Sequence, residues 1–123
     1  MLTLAFALLC GAALVGAALA IGYLAAKSAV PISAALPAVH ALLGTTGLAV
    51  LILALRGGLP RSDRGTAGFG PIAAGLLGLA LALGVVLAQA TWRRRRPAGP
   101  LVGAHAGLAI AGLVMLLALV ALR

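Results

Sequence analysis

Two histidines lie in otherwise apolar parts of the chain, and their spacing is matched. His40 and His105 each fall near the start of a segment without charged side chains, and each is followed seven residues later by a glycine, Gly47 or Gly112. Polar side chains are costly inside a bilayer, so those retained there usually have a partner and a role. Two imidazoles at matched depth on two helices predict that they share the ligation of one cofactor.

The glycines beside these histidines predict room for a flat group between two helices. Residues seven apart lie on nearly the same helix face, about 10 Å apart along the axis. Gly47 and Gly112 are therefore expected on the faces that carry the histidines, with Gly44 close to the first of these faces. A b-type haem suits such a gap, because its iron takes two axial histidines and its macrocycle needs neighbours without bulky side chains.

Four consecutive arginines and one lysine are the cations expected to bind the propionates of that haem. They are Lys27, Arg93, Arg94, Arg95 and Arg96. Guanidinium and ammonium groups pair with carboxylates, and arginine does so in a bidentate geometry. A second interpretation stays open, in which these residues only bias the topology of the chain in the membrane. A nucleic-acid partner is not expected, because no aromatic or polar recognition surface accompanies the arginines.

A metal ion without a macrocycle is not expected at the histidines. Zinc and copper sites draw further ligands from cysteine, aspartate or glutamate. The chain has one cysteine, Cys10, which is expected far from the histidines, and one acid, Asp63, which is expected on the other side of the membrane. The residues alone therefore indicate a site with two histidine ligands.

The elements that position these residues are four uncharged segments, each long enough to span a bilayer at about 20 residues per helix. They cover residues 1–26, 37–55, 71–92 and 101–122. Short connections between them predict an all-α integral membrane protein, a four-helix up-down-up-down bundle that occupies the whole chain, 1–123, as one domain. The lipid bilayer is then a partner, and we expect a multi-pass protein of a bacterial inner membrane.

The two sides of this predicted bundle differ in chemistry. We call the side of the N-terminus side A and the opposite side, which includes Lys27 and the four arginines, side B. Polar residues within the spans cluster near side B, namely Tyr23, His40, Thr45, Thr46, Gln89, Thr91, Trp92 and His105. The positive-inside rule favours side B as the cytoplasmic side.

A weak two-helix internal repeat relates the second span to the fourth. When His40 is aligned with His105, further pairs match, including Leu36 with Leu101, Ala41 with Ala106, Leu43 with Leu108, Gly47 with Gly112, Leu48 with Leu113 and Leu51 with Leu116. Parallel repeats of this kind build membrane proteins around a shared central site. The repeat and the matched histidines together predict that the second and fourth helices are adjacent and parallel.

In its four-helix plan and in His40, Gly47, His105 and Gly112, the chain resembles four-helix membrane b-type cytochromes and the haem-bearing anchor subunits of respiratory enzymes. The resemblance implies electron transfer in a respiratory chain, with a quinone as a candidate partner. Gln89 and Thr91 either contact the quinone head group or are only polar residues at the end of a helix. It implies an electron-transfer subunit more than a self-contained enzyme. Two histidines allow one haem b, near side B.

A cofactor-free accessory subunit of a larger membrane complex is the alternative. Its histidines would hydrogen-bond to each other or to the backbone of a neighbouring helix, and its glycines would only allow close helix packing. A small proton-coupled exporter is not expected, because no acidic residue lies in any span. Visible absorption of the purified protein distinguishes a cytochrome from an accessory subunit.

Overall fold

The computed structural model describes residues 1–25, 35–57, 68–93, 95 and 97–122. These residues form four α-helices: α1 (Leu2–Ala25), α2 (Ala35–Arg56), α3 (Phe69–Trp92) and α4 (Gly99–Ala121). Each helix is long and apolar enough to cross a membrane. The bounds of the four helices agree with those of the four predicted segments to within two residues.

Prolines mark the beginnings of three of the helices. Pro37, Pro71 and Pro100 each lie within the first three residues of α2, α3 and α4. The first N–H groups of a helix have no partner within the helix, so proline is tolerated there and its fixed φ suits helical backbone. These positions place each histidine within the first two turns of its helix.

The helices run alternately up and down, as predicted. Gly16 of α1 faces His40 of α2, whereas Gly47, further along α2, faces Leu9, which is nearer the start of α1. The two helices are therefore antiparallel. In the same way, Gly84 of α3 faces His105 of α4, and Gly112 faces Leu77, so α3 and α4 form a second antiparallel hairpin.

The expectation that α2 and α4 are neighbours is wrong. In the described part of the chain, no Cα atom of α2 lies within 8 Å of a Cα atom of α4, and the same holds for α1 and α3. Each helix packs most extensively against its partner in the hairpin and less against one helix of the other hairpin. Short connections keep consecutive helices side by side, so the bundle closes in chain order and α2 and α4 become diagonal. They are parallel, as predicted, since Leu55 and Leu119 both approach Gly70.

The close-packed core occupies the side-A half of the bundle. Its members include Leu2, Ala5, Leu9, Leu48, Leu51, Ala54, Ala73, Leu77, Leu116 and Leu119. Two leucines pack directly onto glycines of the partner helix, Leu9 onto Gly47 and Leu77 onto Gly112. Glycine lets membrane helices approach closely, and van der Waals contact then stabilises the pair. This core holds the side-A ends of all four helices together.

The internal repeat extends to the whole hairpin. A shift of 68 residues aligns α1 with α3 and matches Ala5 with Ala73, Leu8 with Leu76, Leu9 with Leu77, Ala12 with Ala80 and Gly16 with Gly84. The α1–α2 and α3–α4 hairpins therefore use equivalent residues for equivalent contacts. The sequence alignment of α2 with α4 detected only half of this symmetry.

Candidate cofactor site between the histidines

The imidazoles of His40 and His105 meet in the centre of the bundle, although their helices are diagonal. Their ring centroids are 5.9 Å apart, and the ring planes are inclined at 72°. Both residues are partly buried. They lie just beyond the core, on its side-B edge, because Ala12 and Ala80 are the last buried residues of α1 and α3 in that direction.

Each imidazole is held by a backbone carbonyl of its hairpin partner. His40 Nδ1–H donates to the Ala12 oxygen at 2.9 Å, and His105 Nδ1–H donates to the Ala80 oxygen at 2.8 Å. A carbonyl oxygen only accepts hydrogen bonds, so Nδ1 must carry the proton in both rings. In a neutral imidazole the lone pair is then on Nε2, which is the atom left to bind a metal.

Neither Nε2 atom has a hydrogen-bond partner among the residues that the structure describes. A metal-binding histidine commonly donates its other ring N–H to a carbonyl or carboxylate, which sets its tautomer and its orientation. Both rings match that pattern. Each hairpin therefore supplies one imidazole whose Nε2 lone pair is not used by a hydrogen bond within the described residues.

Two glycines that sequence reasoning missed make these hydrogen bonds possible. Gly16 of α1 and Gly84 of α3 each lie against an imidazole. A Cβ atom at Gly16 would be 2.8 Å from His40 Cε1, and one at Gly84 would be 3.2 Å from His105 Cε1. The signal that could have found them is the alignment of α1 with α3.

The predicted role of Gly47 and Gly112 requires correction. A Cβ at Gly47 would lie 2.8 Å from Leu9 Cγ, and one at Gly112 would lie 2.7 Å from Leu77 Cγ. Leucine side chains already fill the space beside these glycines, so they pack the core and leave no room for a flat group. Gly44 differs, because nothing lies within 4 Å of a Cβ built there.

The half of the bundle between the histidines and side B is less closely packed than the core. In the described residues, no side chain that lies closer to side B than Ala12 and Ala80 is buried. Leu19 and Leu87 lie on the same helix faces as Ala12 and Ala80 and remain partly exposed. Interior-facing side chains that stay partly exposed show that packing on the side-B side of the imidazoles is looser than in the core.

The structure places only some of the predicted propionate-binding cations. Arg93 and Arg95 are exposed at the side-B end of α3. The backbone N–H of Arg93 donates to the Gln89 carbonyl, and that of Arg95 donates to the Ala90 carbonyl. Lys27, Arg94 and Arg96 lie outside the described residues, as does Asp63. The side-B position of Arg93 is the one expected, and its contact with a cofactor stays a prediction.

The residues considered for a quinone face outward. Gln89 and Thr91 are both exposed, and the Thr91 hydroxyl donates to the Leu87 carbonyl at 3.0 Å. Trp92, the next residue along the chain, is 89% exposed. They line no interior site with the histidines. A quinone would have to approach them from the lipid-facing surface.

Tyr23 links the two hairpins at side B. Its hydroxyl donates to the Pro97 carbonyl at 2.7 Å, so the end of α1 is joined to the connection between α3 and α4. Tyr23 was expected only as one of the polar residues near side B, and this contact shows which element it binds. The bond lies on the same side of the bundle as the loosely packed region.

Comparison of the chain with protein-family models, curated proteins and solved structures found no match. In the described residues, no group of three or more histidine, cysteine, aspartate or glutamate side chains is placed to hold a metal ion. The histidine pair and its surroundings are therefore the basis for a functional proposal.

Proposed function

We propose that this protein is a membrane b-type cytochrome, or a cytochrome subunit, that carries one haem b between His40 and His105 and transfers electrons. The observation that supports this most is the imidazole pair itself, 5.9 Å apart, with both Nδ1 atoms bonded to backbone carbonyls. The iron of a haem with two histidine ligands supplies one-electron redox chemistry.

The distance between the rings is compatible with one metal atom that both imidazoles would bind. Metal–imidazole bonds are about 2 Å long, and the ring centroids are 5.9 Å apart. His40 would bind the metal from one hairpin and His105 from the other. The carbonyls of Ala12 and Ala80 would make each imidazole a stronger donor, since a hydrogen bond from Nδ1–H raises ligand basicity.

The surroundings of the pair support a planar cofactor that extends towards side B. The close-packed core leaves no space for a cofactor between the histidines and side A. Between the histidines and side B, the helices are less closely packed. The cations of side B would hold its propionates, namely Lys27, Arg93, Arg94, Arg95 and Arg96. Positive residues favour the cytoplasmic side of a membrane, so side B would face the cytoplasm of a bacterial inner membrane. A quinone or a further membrane subunit would exchange electrons with the haem.

Absorption spectroscopy of the purified chain tests the proposal. We expect a sharp Soret band and α and β bands after reduction. His40→Ala and His105→Ala should each abolish the low-spin spectrum, because Met115, the nearest alternative ligand on α4, lies ten residues deeper than His105. Thr45→Ala is a control, since Thr45 is exposed and bonds only within its own helix.

Asparagine variants separate ligation from structure. The amide nitrogen of asparagine can take the place of Nδ1 and donate to the same carbonyl, but asparagine has nothing in the place of Nε2. His40→Asn and His105→Asn should therefore fold and lose haem. A full wild-type spectrum in both variants would refute ligation by these histidines.

A cofactor-free accessory subunit is the second candidate, because each histidine does bond to the backbone of a neighbouring helix. In that case the purified protein would show no haem spectrum after expression with excess haem. The asparagine variants would then match the wild type in thermal stability and in assembly with the larger complex.

A further inference from the structure

We propose that Gly16 and Gly84 are positioning residues that set the orientation of the two imidazoles. Each lies four residues after the alanine whose carbonyl accepts the histidine proton, Ala12 or Ala80. In an α-helix, the residue four positions later sits directly over that carbonyl. Without a Cβ atom at this position, the carbonyl stays open to a donor from the neighbouring helix. The link to haem rests on the proposed function, whereas the link to ring position does not.

The carbonyl can accept this second bond while it remains part of its helix. A carbonyl oxygen has two lone pairs, and the helical hydrogen bond uses only one. The glycine therefore removes a steric obstacle and leaves the helix itself intact. Both hairpins use the same arrangement, with Ala12, Gly16 and His40 in one and Ala80, Gly84 and His105 in the other. Its repetition indicates a requirement of the site.

The two glycines differ in how tightly the ring is held. At Gly16, an alanine Cβ would come within 2.8 Å of His40 Cε1 and 3.2 Å of Nδ1. Real Cβ atoms do not approach so closely, so the ring would have to move away from the Ala12 carbonyl. At Gly84, the nearest distance is 3.2 Å, which a shift of a few tenths of an ångström relieves. Gly16→Ala should therefore disturb its histidine more than Gly84→Ala.

Nuclear magnetic resonance of the haem-free protein with ¹⁵N-labelled histidine tests the inference directly. The wild type should show both rings protonated at Nδ1. Gly16→Ala should shift the His40 ring signals, and Gly84→Ala should shift those of His105 by less. Gly11→Ala and Gly78→Ala are controls on the same helices, since a Cβ at Gly11 meets only Leu43 at 3.5 Å and one at Gly78 meets nothing within 4 Å.

Haem titration and electron paramagnetic resonance of the ferric protein provide the second measurement. A change in the groups that orient a ligand commonly weakens metal binding by about 10- to 100-fold, and we expect a loss of that size for Gly16→Ala. The low-spin signal of the wild type should change in Gly16→Ala and remain unchanged in both controls.

The outcomes distinguish this inference from the proposed function. Unchanged His40 ring signals in Gly16→Ala, or equal loss of haem in Gly16→Ala and Gly11→Ala, would overturn the positioning role. A wild type that binds no haem would refute the proposed function alone, and the ring signals would still decide the role of the glycines. Should Gly16→Ala fail to fold, the milder Gly84→Ala supplies the same comparison at His105.

Discussion

At the scale of single residues, the two histidines combine a structural and a chemical property. Their Nδ1 atoms tie α2 to α1 and α4 to α3 through backbone carbonyls, and this alone would justify two polar residues in an apolar bundle. Their Nε2 atoms are not used by these bonds, and the two rings meet in a T-shaped arrangement with their centroids 5.9 Å apart. A histidine with a structural role alone needs only the hydrogen bond from Nδ1 to a carbonyl.

The arginines allow a prediction at this scale. Replacing Arg93 and Arg95 together by glutamine should leave haem bound, because in the proposed site His40 and His105 would hold the iron. It should lower the midpoint potential slightly, because a nearby positive charge favours the reduced haem. The shift should be small and should shrink further in high salt, since both side chains are exposed and their charges are screened.

Potentiometric titration at low and high salt measures this effect. Arg56→Gln serves as a control on side A, where Arg56 ends α2. An equal shift in the control variant would show that the side-B arginines have no special relation to the haem. They would then act on topology alone.

At the scale of elements, the hairpins are closely fitted in one half and open in the other. Leucine against glycine fixes the side-A half, where Leu9 covers Gly47 and Leu77 covers Gly112. Beyond the histidines, the helices bury no described side chain. The difference follows from local packing, since leucine meets glycine in the side-A half whereas the polar residues of the spans lie near side B.

Gly47→Ala tests this fit. Its new Cβ would meet the branched Cγ of Leu9, which cannot swing away as the tip of a side chain can, so overpacking should destabilise the protein by about 1–3 kcal/mol. Leu9→Ala should also destabilise, by about 2–5 kcal/mol, because it leaves a cavity. The double variant should be less destabilised than the sum, since one change relieves the other.

Reversible unfolding in mixed micelles measures these free energies. Gly75→Ala is the matched control, because a Cβ there has nothing within 4 Å. Strict additivity of Gly47→Ala and Leu9→Ala would contradict direct packing of these two residues.

At the scale of the whole molecule, two equivalent hairpins form one site that neither contains alone. Each hairpin supplies one histidine and the carbonyl that orients it. The hairpins contact each other less extensively than the helices within them do. A cofactor bound between the histidines would therefore join the hairpins where the core does not reach.

Tyr23→Phe tests the link between the hairpins at side B. It removes the hydrogen bond to the Pro97 carbonyl, and we expect a loss of about 0.5–1.5 kcal/mol of stability. Bound haem should reduce this loss, because it would hold the same two hairpins together. Thermal unfolding of the haem-free and haem-bound forms measures the difference, with Thr91→Val as the control at the equivalent position of α3. An identical loss in both forms would argue against a haem between the hairpins.

The sequence by itself determined how the chain divides into helices and where its polar chemistry lies. Uninterrupted apolar segments of about 20 residues, three of them with a proline in the first turn, set the bounds of the four helices to within two residues. The rarity of histidine singled out His40 and His105. These properties depend on distance along the chain and on the contrast between apolar and polar residues, both of which can be read without a fold.

Only the tertiary structure decided which helices are neighbours and what each glycine does. Leucine, alanine and glycine surround every helix almost evenly, so no apolar stripe marks the inward face. In a membrane, the faces that meet are selected by shape, as small residues receive larger ones from a neighbour. That selection placed leucines over Gly47 and Gly112, imidazoles over Gly16 and Gly84, and α2 diagonally opposite α4. The spacing of residues within one helix cannot reveal which faces meet, because that choice depends on the residues of the neighbouring helix.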